Sequence, residues 1–209
     1  MCWMIFFLLM AIVLIIVICI RNAQIPKKAK RNKNELSVLN LEKGGVFKVT
    51  GFGPESETLE LTVLDKHLYK AGDFSWFELE CDKGTGEKVW AEVEDDDEII
   101  VSIVLEKLGL EAVPELTPQS LTKIDDDESG SVTYGSRKFF YQDSDNATFY
   151  KRCERANAER LYYWDFKSTD MGITYSLSVE KWGNNEYQVF CSQEMKPQQI
   201  TVYKNSSEN

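Results

Sequence analysis

Histidine and closely spaced cysteine are what this sequence lacks most. It contains one histidine, His67, and five cysteines, two of which lie in the apolar N-terminal stretch. The other three, Cys81, Cys153 and Cys191, are far apart, and no two cysteines form a C-x-x-C pair. Zinc centres and disulfide frameworks need clustered ligands at characteristic spacings, so the sequence predicts neither. An odd number of cysteines after the N-terminal stretch fits a reducing compartment.

The sequence also lacks the motifs of the common enzyme classes. It has no G-x-S-x-G nucleophile motif, phosphate-binding loop or dinucleotide fingerprint, and Gly84-Thr85-Gly86 lies between two predicted strands instead of before a helix. His67 follows the predicted strand Thr58–Lys66, in a predicted loop, with no nucleophile at a motif spacing. We therefore predict no catalytic residue, no cofactor and a non-enzymatic function. An enzyme of unknown reaction is the third alternative.

One acidic segment partly resembles a calcium-binding loop. Asp125, Asp127 and Ser129 have the spacing of the first ligands of an EF-hand loop, but Ser136 stands where the bidentate glutamate belongs. That difference removes two coordinating oxygens. We therefore predict no metal site and an acidic turn instead.

Charge is absent from residues 1–20, an apolar run long enough to cross a bilayer as one helix. Residues 21–33 carry six basic and no acidic side chains, and short basic flanks stay on the cytoplasmic side. The sequence therefore predicts a single-pass cell-membrane protein. Residues 1–20 lie in the lipid bilayer, residues 21–40 form a basic stalk, the N-terminus faces outward, and the soluble domain is cytoplasmic.

Basic residues are scarce in the rest of the chain. Residues 34–209 carry 18 Lys or Arg and all 34 acidic residues, which gives a formal charge of −16. Such a domain repels phosphate backbones, so nucleic acid is excluded as a partner. We expect a protein partner at the membrane, or a cationic small ligand.

Helical periodicity is rare beyond the stalk. Short runs rich in β-branched and aromatic residues are separated by Gly, Asn or Asp clusters about every 8 to 12 residues. This predicts a mainly β, antiparallel fold of barrel- or sandwich-like units. The predicted strands of the second unit include 138–142, 146–155 and 159–167. The first unit is at 41–107 and the second at 129–204, with a disordered tail at 205–209. The linker at 108–128 holds one short helix, because Thr117-Pro118 has the pattern of an N-cap followed by proline.

The two predicted units show a weak internal similarity at an offset of 86 to 88 residues. Trp76-Phe77-Glu78-Leu79 aligns with Trp164-Asp165-Phe166, and Gly44-Gly45-Val46 aligns with Gly130-Ser131-Val132. Internal repeats are typical of paired structural units. We therefore predict two related halves that share an interface.

Several segments resemble a bacterial family of unknown function. The segments Trp76–Leu79, Trp90–Glu94, Tyr163–Phe166 and Leu177–Gly183 are similar to the two hallmark segments of the domain-of-unknown-function family 4178. Ala91 departs from the family pattern, which has a large aliphatic residue there. The resemblance implies a β-rich domain without established catalytic residues, and a role in cell-envelope stress.

Tryptophan and acidic residues recur together in both predicted units. The candidate ligand groove consists of Trp76, Glu78, Trp90, Trp164, Asp165 and Trp182. Carboxylates and indole faces attract organic cations. Strand alternation favours the other alternative, in which the tryptophans fill the core and the acids face away from it. The leading hypothesis is a membrane-anchored interaction module, and the alternative is a sensor of a cationic or polyamine ligand.

Overall fold

The structure is a computed structural model that describes residues 32, 34–95 and 98–206. Within these residues, no helix has the length and apolar character that crossing a membrane requires. The predicted anchor at 1–20, residues 21–31 and 33 of the predicted stalk, and residues 207–209 of the predicted tail lie outside the described residues. All the strands belong to one compact unit that begins at Leu36.

The described part of the chain contains eleven strands and one α-helix. The strands are β1 (Val46–Phe52), β2 (Glu57–Ala71), β3 (Phe74–Asp82), β4 (Lys88–Asp95), β5 (Ile99–Leu108), β6 (Ser131–Tyr134), β7 (Arg137–Tyr150), β8 (Ala158–Asp170), β9 (Ile173–Trp182), β10 (Glu186–Met195) and β11 (Ile200–Lys204). The helix, α1, is Pro118–Asp127.

Eight of these strands close into an antiparallel barrel in the order β2-β3-β4-β5-β10-β9-β8-β7. The ring closes where residues 68–70 of β2 pair with residues 148–150 of β7. Strands β1 and β11 extend the sheet beyond β2, and β6 extends it beyond β7. The predicted mainly β, antiparallel fold is confirmed, in the form of a barrel with extra strands.

The chain builds this barrel from two five-stranded meanders, β1–β5 and β6–β10. Equivalent strands of the two meanders meet at both junctions, because β5 pairs with β10 and β2 pairs with β7. The last strand, β11, which the sequence analysis assigns to the second unit, pairs with β1 of the first meander. The two meanders are therefore arranged alike within the barrel, and β11 is an addition to the first meander alone.

Side-chain alternation gives each meander its own hydrophobic core. Leu79 and Phe47 lie in the first core, which also includes Val38, Leu39 and Leu41. Phe166 lies in the second core, which α1 covers through the fully buried Leu121. Burying each such side chain contributes about 1.5–3 kcal/mol. Residues between these core positions point to the opposite face of their strands, into the barrel.

Helix α1 begins where the sequence predicts. The Thr117 Oγ1 atom accepts a hydrogen bond from the Ser120 amide at 3.0 Å, and the Ser120 Oγ atom accepts one from the Thr117 amide at 2.8 Å. Pro118 occupies the first turn, where its missing N–H costs nothing. The reciprocal cap therefore fixes this end of the helix.

Two predicted strand boundaries are wrong. Strand β2 continues through His67 to Ala71, although the sequence predicts its end at Lys66. Strand β7 is a single strand, whereas the sequence predicts separate strands at 138–142 and 146–155. A bulge between Tyr141 and Asp143 lets β7 continue through this polar stretch, which reads as a turn in the sequence.

The internal similarity has a different register from the one that the sequence suggests. Phe77 and Leu79 of β3 contact the first core, and Trp164 and Phe166 of β8 lie in the second core. The structural equivalent of a residue in β3 is therefore 87 positions later, in β8. Aligning Trp76 with Trp164 is a shift of one residue, which moves every side chain to the other face. The equivalent pairs are then Trp76 with Tyr163 and Glu78 with Asp165.

Candidate ligand cavity inside the barrel

The inward face of the barrel is rich in carboxyl groups. Glu78 on β3, Glu92 on β4, Asp165 on β8 and Glu180 on β9 alternate with apolar core residues, and we call these four side chains the acid cluster. Glu78 and Glu92 are direct cross-strand partners. Because their neighbours along each strand pack into the two outer cores, the four acids face the barrel interior.

Two cavities occupy this interior, and both are lined by Glu180. The first cavity has a volume of about 320 Å³ and includes Glu92 and Asp165. The second has a volume of about 430 Å³ and includes Glu78. The second cavity is lined from all eight barrel strands, by residues that include Tyr69, Glu78, Trp90, Lys107, Phe149, Glu159, Glu180 and Phe190. A space that every barrel strand lines lies inside the barrel.

The two cavities extend toward opposite ends of the barrel. The first reaches Phe74, beside the turn between β2 and β3. The second reaches Gly183, in the turn between β9 and β10. The antiparallel register puts these two turns at different ends. Glu180 therefore lies where the two spaces adjoin.

Carboxylates outnumber ammonium groups around the cavities. Eight acidic and two basic side chains line them in the described structure. Of the two basic residues, Lys167 is paired with Glu194, outside the lining, at 2.6 Å. Lys107 reaches the second cavity from an exposed position. The lining as a whole therefore carries an excess of negative charge.

The members of the acid cluster differ in their hydrogen bonds. Glu180 is only 6% exposed and accepts the indole N–H of Trp182 at 3.0 Å. The nearby Ser178 hydroxyl favours the carboxylate form of Asp165, and so lowers a pKa that burial raises. Within the described residues, the carboxyl groups of Glu78 and Glu92 have no hydrogen bond or ion pair. Both are closely surrounded by protein, and the surface that they retain faces the cavities.

Burial raises the pKa of every member of the acid cluster. The pKa of Asp165 rises to about 6, that of Glu78 to about 7 and that of Glu180 to about 8. Burial and the neighbouring Asp165 carboxylate raise the pKa of Glu92 well above its usual range. A positive charge in the cavities reverses these shifts, because it favours the carboxylate form.

Aromatic rings complete the walls. The ring of Trp76 stacks on Tyr69 and Phe74, with centroid separations of 5.0 and 5.6 Å, so much of its surface is already used in packing. In the second cavity, the Lys107 ammonium lies 5.3 Å from the centre of the Trp90 ring. A cation is thus already attracted to a ring face in this wall.

The structure brings together five of the six residues of the predicted groove. The first cavity contains Trp76 and Asp165, and the second contains Glu78, Trp90 and Trp182. Trp164 lies on the opposite face of β8, where it is 6% exposed in the second core. Five of the six candidates therefore line the barrel interior, and Trp164 lies in a hydrophobic core.

The sequence analysis missed Glu92 and Glu180 as site residues. Their signal is the alternation of acids with core residues, since Ala91 and Val93 flank Glu92 and Val179 precedes Glu180. Lys107 had no such signal. Its position beside the cavity depends on how β5 pairs with β10. That pairing contains a register shift, which the sequence of β5 alone does not indicate.

His67 and Asp125 are held by other contacts. His67 is 5% exposed, and its Nδ1 atom accepts the Arg152 amide hydrogen at 3.0 Å while its Nε2 atom lies 4.0 Å from Glu80. Asp125 lies on α1 and accepts the Tyr162 hydroxyl hydrogen at 2.7 Å. The described residues contain no group of three or more His, Cys, Asp or Glu that could hold a metal ion.

Comparison with known proteins gives one match. The family model described as "Domain of unknown function (DUF4178)" matches residues 57–197, more than half of the chain. This range contains all eight barrel strands and the whole acid cluster. No curated protein and no solved structure matches the chain. The chain therefore belongs to the DUF4178 family, whose function is unknown.

Proposed function

We propose that this protein is a non-enzymatic binding module whose barrel interior takes a small organic cation. The observation that carries the proposal is the acid cluster, in which Glu78 and Glu92 face the cavities without a hydrogen bond or ion pair in the described structure. Buried carboxylates are costly unless they are paired. A bound cation supplies that pairing charge.

An organic cation suits these walls better than a metal ion. Ammonium and guanidinium groups donate charge-assisted hydrogen bonds to carboxylates and also lie over aromatic rings. The cavities offer both surfaces, as Glu78 and Trp90 show in the second one. The described residues offer no group of metal ligands. Polyamines belong to the class of ligand that this combination favours.

Isothermal titration of the full chain in detergent with spermidine tests this proposal. At pH 8 and about 0.15 M salt, where distant charges are screened, we expect saturable binding. Asp165→Asn is expected to weaken binding about tenfold, because it removes one charge-assisted hydrogen bond. Glu60→Gln makes the same charge change on an exposed part of β2 and is expected to bind like the wild type. An absence of binding at millimolar spermidine contradicts the proposal.

We also propose that residues 1–20 hold the domain at the cytoplasmic face of the cell membrane. Cys153 is the exposed cysteine of the domain, whereas Cys81 and Cys191 are buried. An impermeant thiol reagent should therefore label Cys153 only after the cells are permeabilised. Although Cys153 is exposed, partial burial of its thiol raises the pKa, so labelling at mildly alkaline pH is preferable. Labelling in intact cells that is absent in Cys153→Ser contradicts this orientation.

A protein partner at the membrane is the second candidate function. Three apolar side chains are exposed at the turns of one barrel end: Phe74 at 36%, Ile99 at 37% and Met171 at 97%. Exposed apolar groups that lie close together favour protein contact. A photo-crosslinker at position 171 should capture a partner in cells, and one at position 60 should not. Equal capture from both positions contradicts a specific surface.

A further inference from the structure

The two cavities repeat the same combination of groups. Asp165 and Glu92 lie in the first cavity and Glu78 in the second, so each has carboxyl groups of its own. Each also has aromatic walls, which include Tyr163 in the first and Trp90 in the second. The interior therefore offers two places for a cationic group, one toward each end of the barrel.

A single positive charge compensates only part of this lining. Glu78, Glu92 and Asp165 are distributed over both cavities, while Glu180 borders the two. Of the two ammonium groups in the lining, Lys167 is occupied by Glu194. A monocation in the first cavity leaves Glu78 without a hydrogen bond or ion pair within the described residues, and one in the second cavity leaves Glu92 in that state. A ligand with two positive charges can pair with carboxyl groups in both cavities.

The junction between the cavities suits an uncharged spacer. Trp76 and Tyr163 line the first cavity and Tyr69 lines the second. Their rings are in contact, since the centroids of Tyr69 and Trp76 are 5.0 Å apart and those of Trp76 and Tyr163 are 5.7 Å apart. This continuous aromatic surface lies beside Glu180. It offers apolar contact to methylene groups that pass from one cavity to the other.

We propose that the ligand of the barrel is a linear organic dication, with one cationic group in each cavity and its methylene chain beside Glu180. This inference rests on the proposed function, and it adds the valence and the shape of the ligand. The chain length follows from the separation of the two carboxylate sets along the barrel axis. Ligands with one charge, or with two charges too close together, leave one cavity empty.

A series of amines tests the inference on the full chain in detergent. Terminal diamines from diaminopropane to diaminooctane are compared with monoamines of the same carbon number by isothermal titration. Linking two binding groups raises affinity by about a hundredfold when the linker fits, so we expect one diamine length to exceed its matched monoamine by about that factor. Affinities that differ by less than about threefold at every length overturn the inference.

Two variants locate the ends of the ligand. Glu78→Gln acts in the second cavity and Asp165→Asn in the first. We expect each to weaken the best diamine about tenfold, and only one of them to weaken a monoamine. Diamine binding that responds to one variant alone overturns the inference. If neither monoamines nor diamines bind, or if both variants bind them as the wild type does, the proposed function itself is contradicted.

Discussion

Trp182 donates its indole N–H to the Oε2 atom of Glu180 across 3.0 Å, so a buried carboxylate and an aromatic wall are held together in the barrel. The same carboxyl group borders both cavities. Its orientation is therefore constrained by the Trp182 indole before any ligand arrives. Preorganised groups of this kind lower the entropy that binding costs.

Glu180→Gln is expected to weaken cation binding in both cavities by about tenfold or more. The amide oxygen of glutamine still accepts the Trp182 indole N–H, so the geometry is kept while the charge is lost. Titration with a monoamine and with a diamine measures the effect. Glu60→Gln is the matched control, because Glu60 is exposed on β2. Unchanged affinity in Glu180→Gln would show that the ligand does not enter the barrel.

The free energy of unfolding is expected to fall as the pH rises from about 5 to about 8. Burial raises the pKa of Asp165 to about 6, of Glu78 to about 7 and of Glu180 to about 8. Over this range the folded protein binds more protons than the unfolded chain, so deprotonation costs it stability, on the order of a few kcal/mol. Glu92, whose pKa burial also raises, contributes to the same decline.

Urea unfolding of the ligand-free chain at a series of pH values measures this decline. The double variant Asp165→Asn with Glu180→Gln should make the decline shallower, because neither replacement side chain titrates, while Glu78 and Glu92 still do. A bound cation should also reduce the decline, since it stabilises the carboxylates. A profile that is identical in the wild type and the double variant would contradict the assignment of these pKa values.

Lys107→Met is expected to tighten the binding of organic cations. The Lys107 ammonium lies 5.3 Å from the Trp90 ring and 5.0 Å from the Phe190 ring, so it competes for the wall of the second cavity. Its removal frees both rings and takes away a like charge. Lys43→Met, at an exposed position, is the control. Weaker binding in Lys107→Met would contradict a cation site in the second cavity.

His67 is expected to titrate below its ordinary pKa of 6.5. Burial lowers this pKa, although the Asp65 and Glu80 carboxylates act in the opposite direction. Protonation of the imidazole is therefore less favourable in the folded state than in the unfolded chain. The contribution of His67 to the free energy of unfolding falls as the pH drops below about 6.5. Because His67 is the only histidine, one imidazole signal in an NMR titration reports it. Glu80→Gln should lower the midpoint further, and a midpoint above 6.5 contradicts the account.

How far the sequence determines the site is clearest at Trp164 and Asp165. The aromatic and acidic pattern singles out both residues, and the strand that holds them was predicted. Which face each side chain occupies depends on a one-residue register, and the repeat alignment placed Trp164 one position from its structural equivalent. The pattern within one strand therefore identifies the aromatic and acidic candidate residues. The packing of the neighbouring strands determines which of them face the cavity.

Closure of the barrel lay beyond sequence reasoning for a different reason. The rhythm of the strands and the Thr117-Pro118 cap are local signals, and the structure confirms both. The pairing of β2 with β7 joins residues about 80 positions apart through three residue pairs. Long-range pairings of this kind leave little local trace, because they depend on how the meanders pack. His67 also lies in this part of β2, where the sequence predicted a loop.

The indole N–H signals in an NMR spectrum of the full chain test the central claim most directly. A cation that enters the barrel should shift the Trp182 signal, because that N–H is bonded to Glu180, a residue that lines both cavities. The Trp164 signal should move least, since that side chain is buried in the second core. A saturable shift of Trp182 that is lost in Glu180→Gln is the expected result. Spectra that stay unchanged at millimolar diamine, or that change at Trp164 alone, would contradict the account.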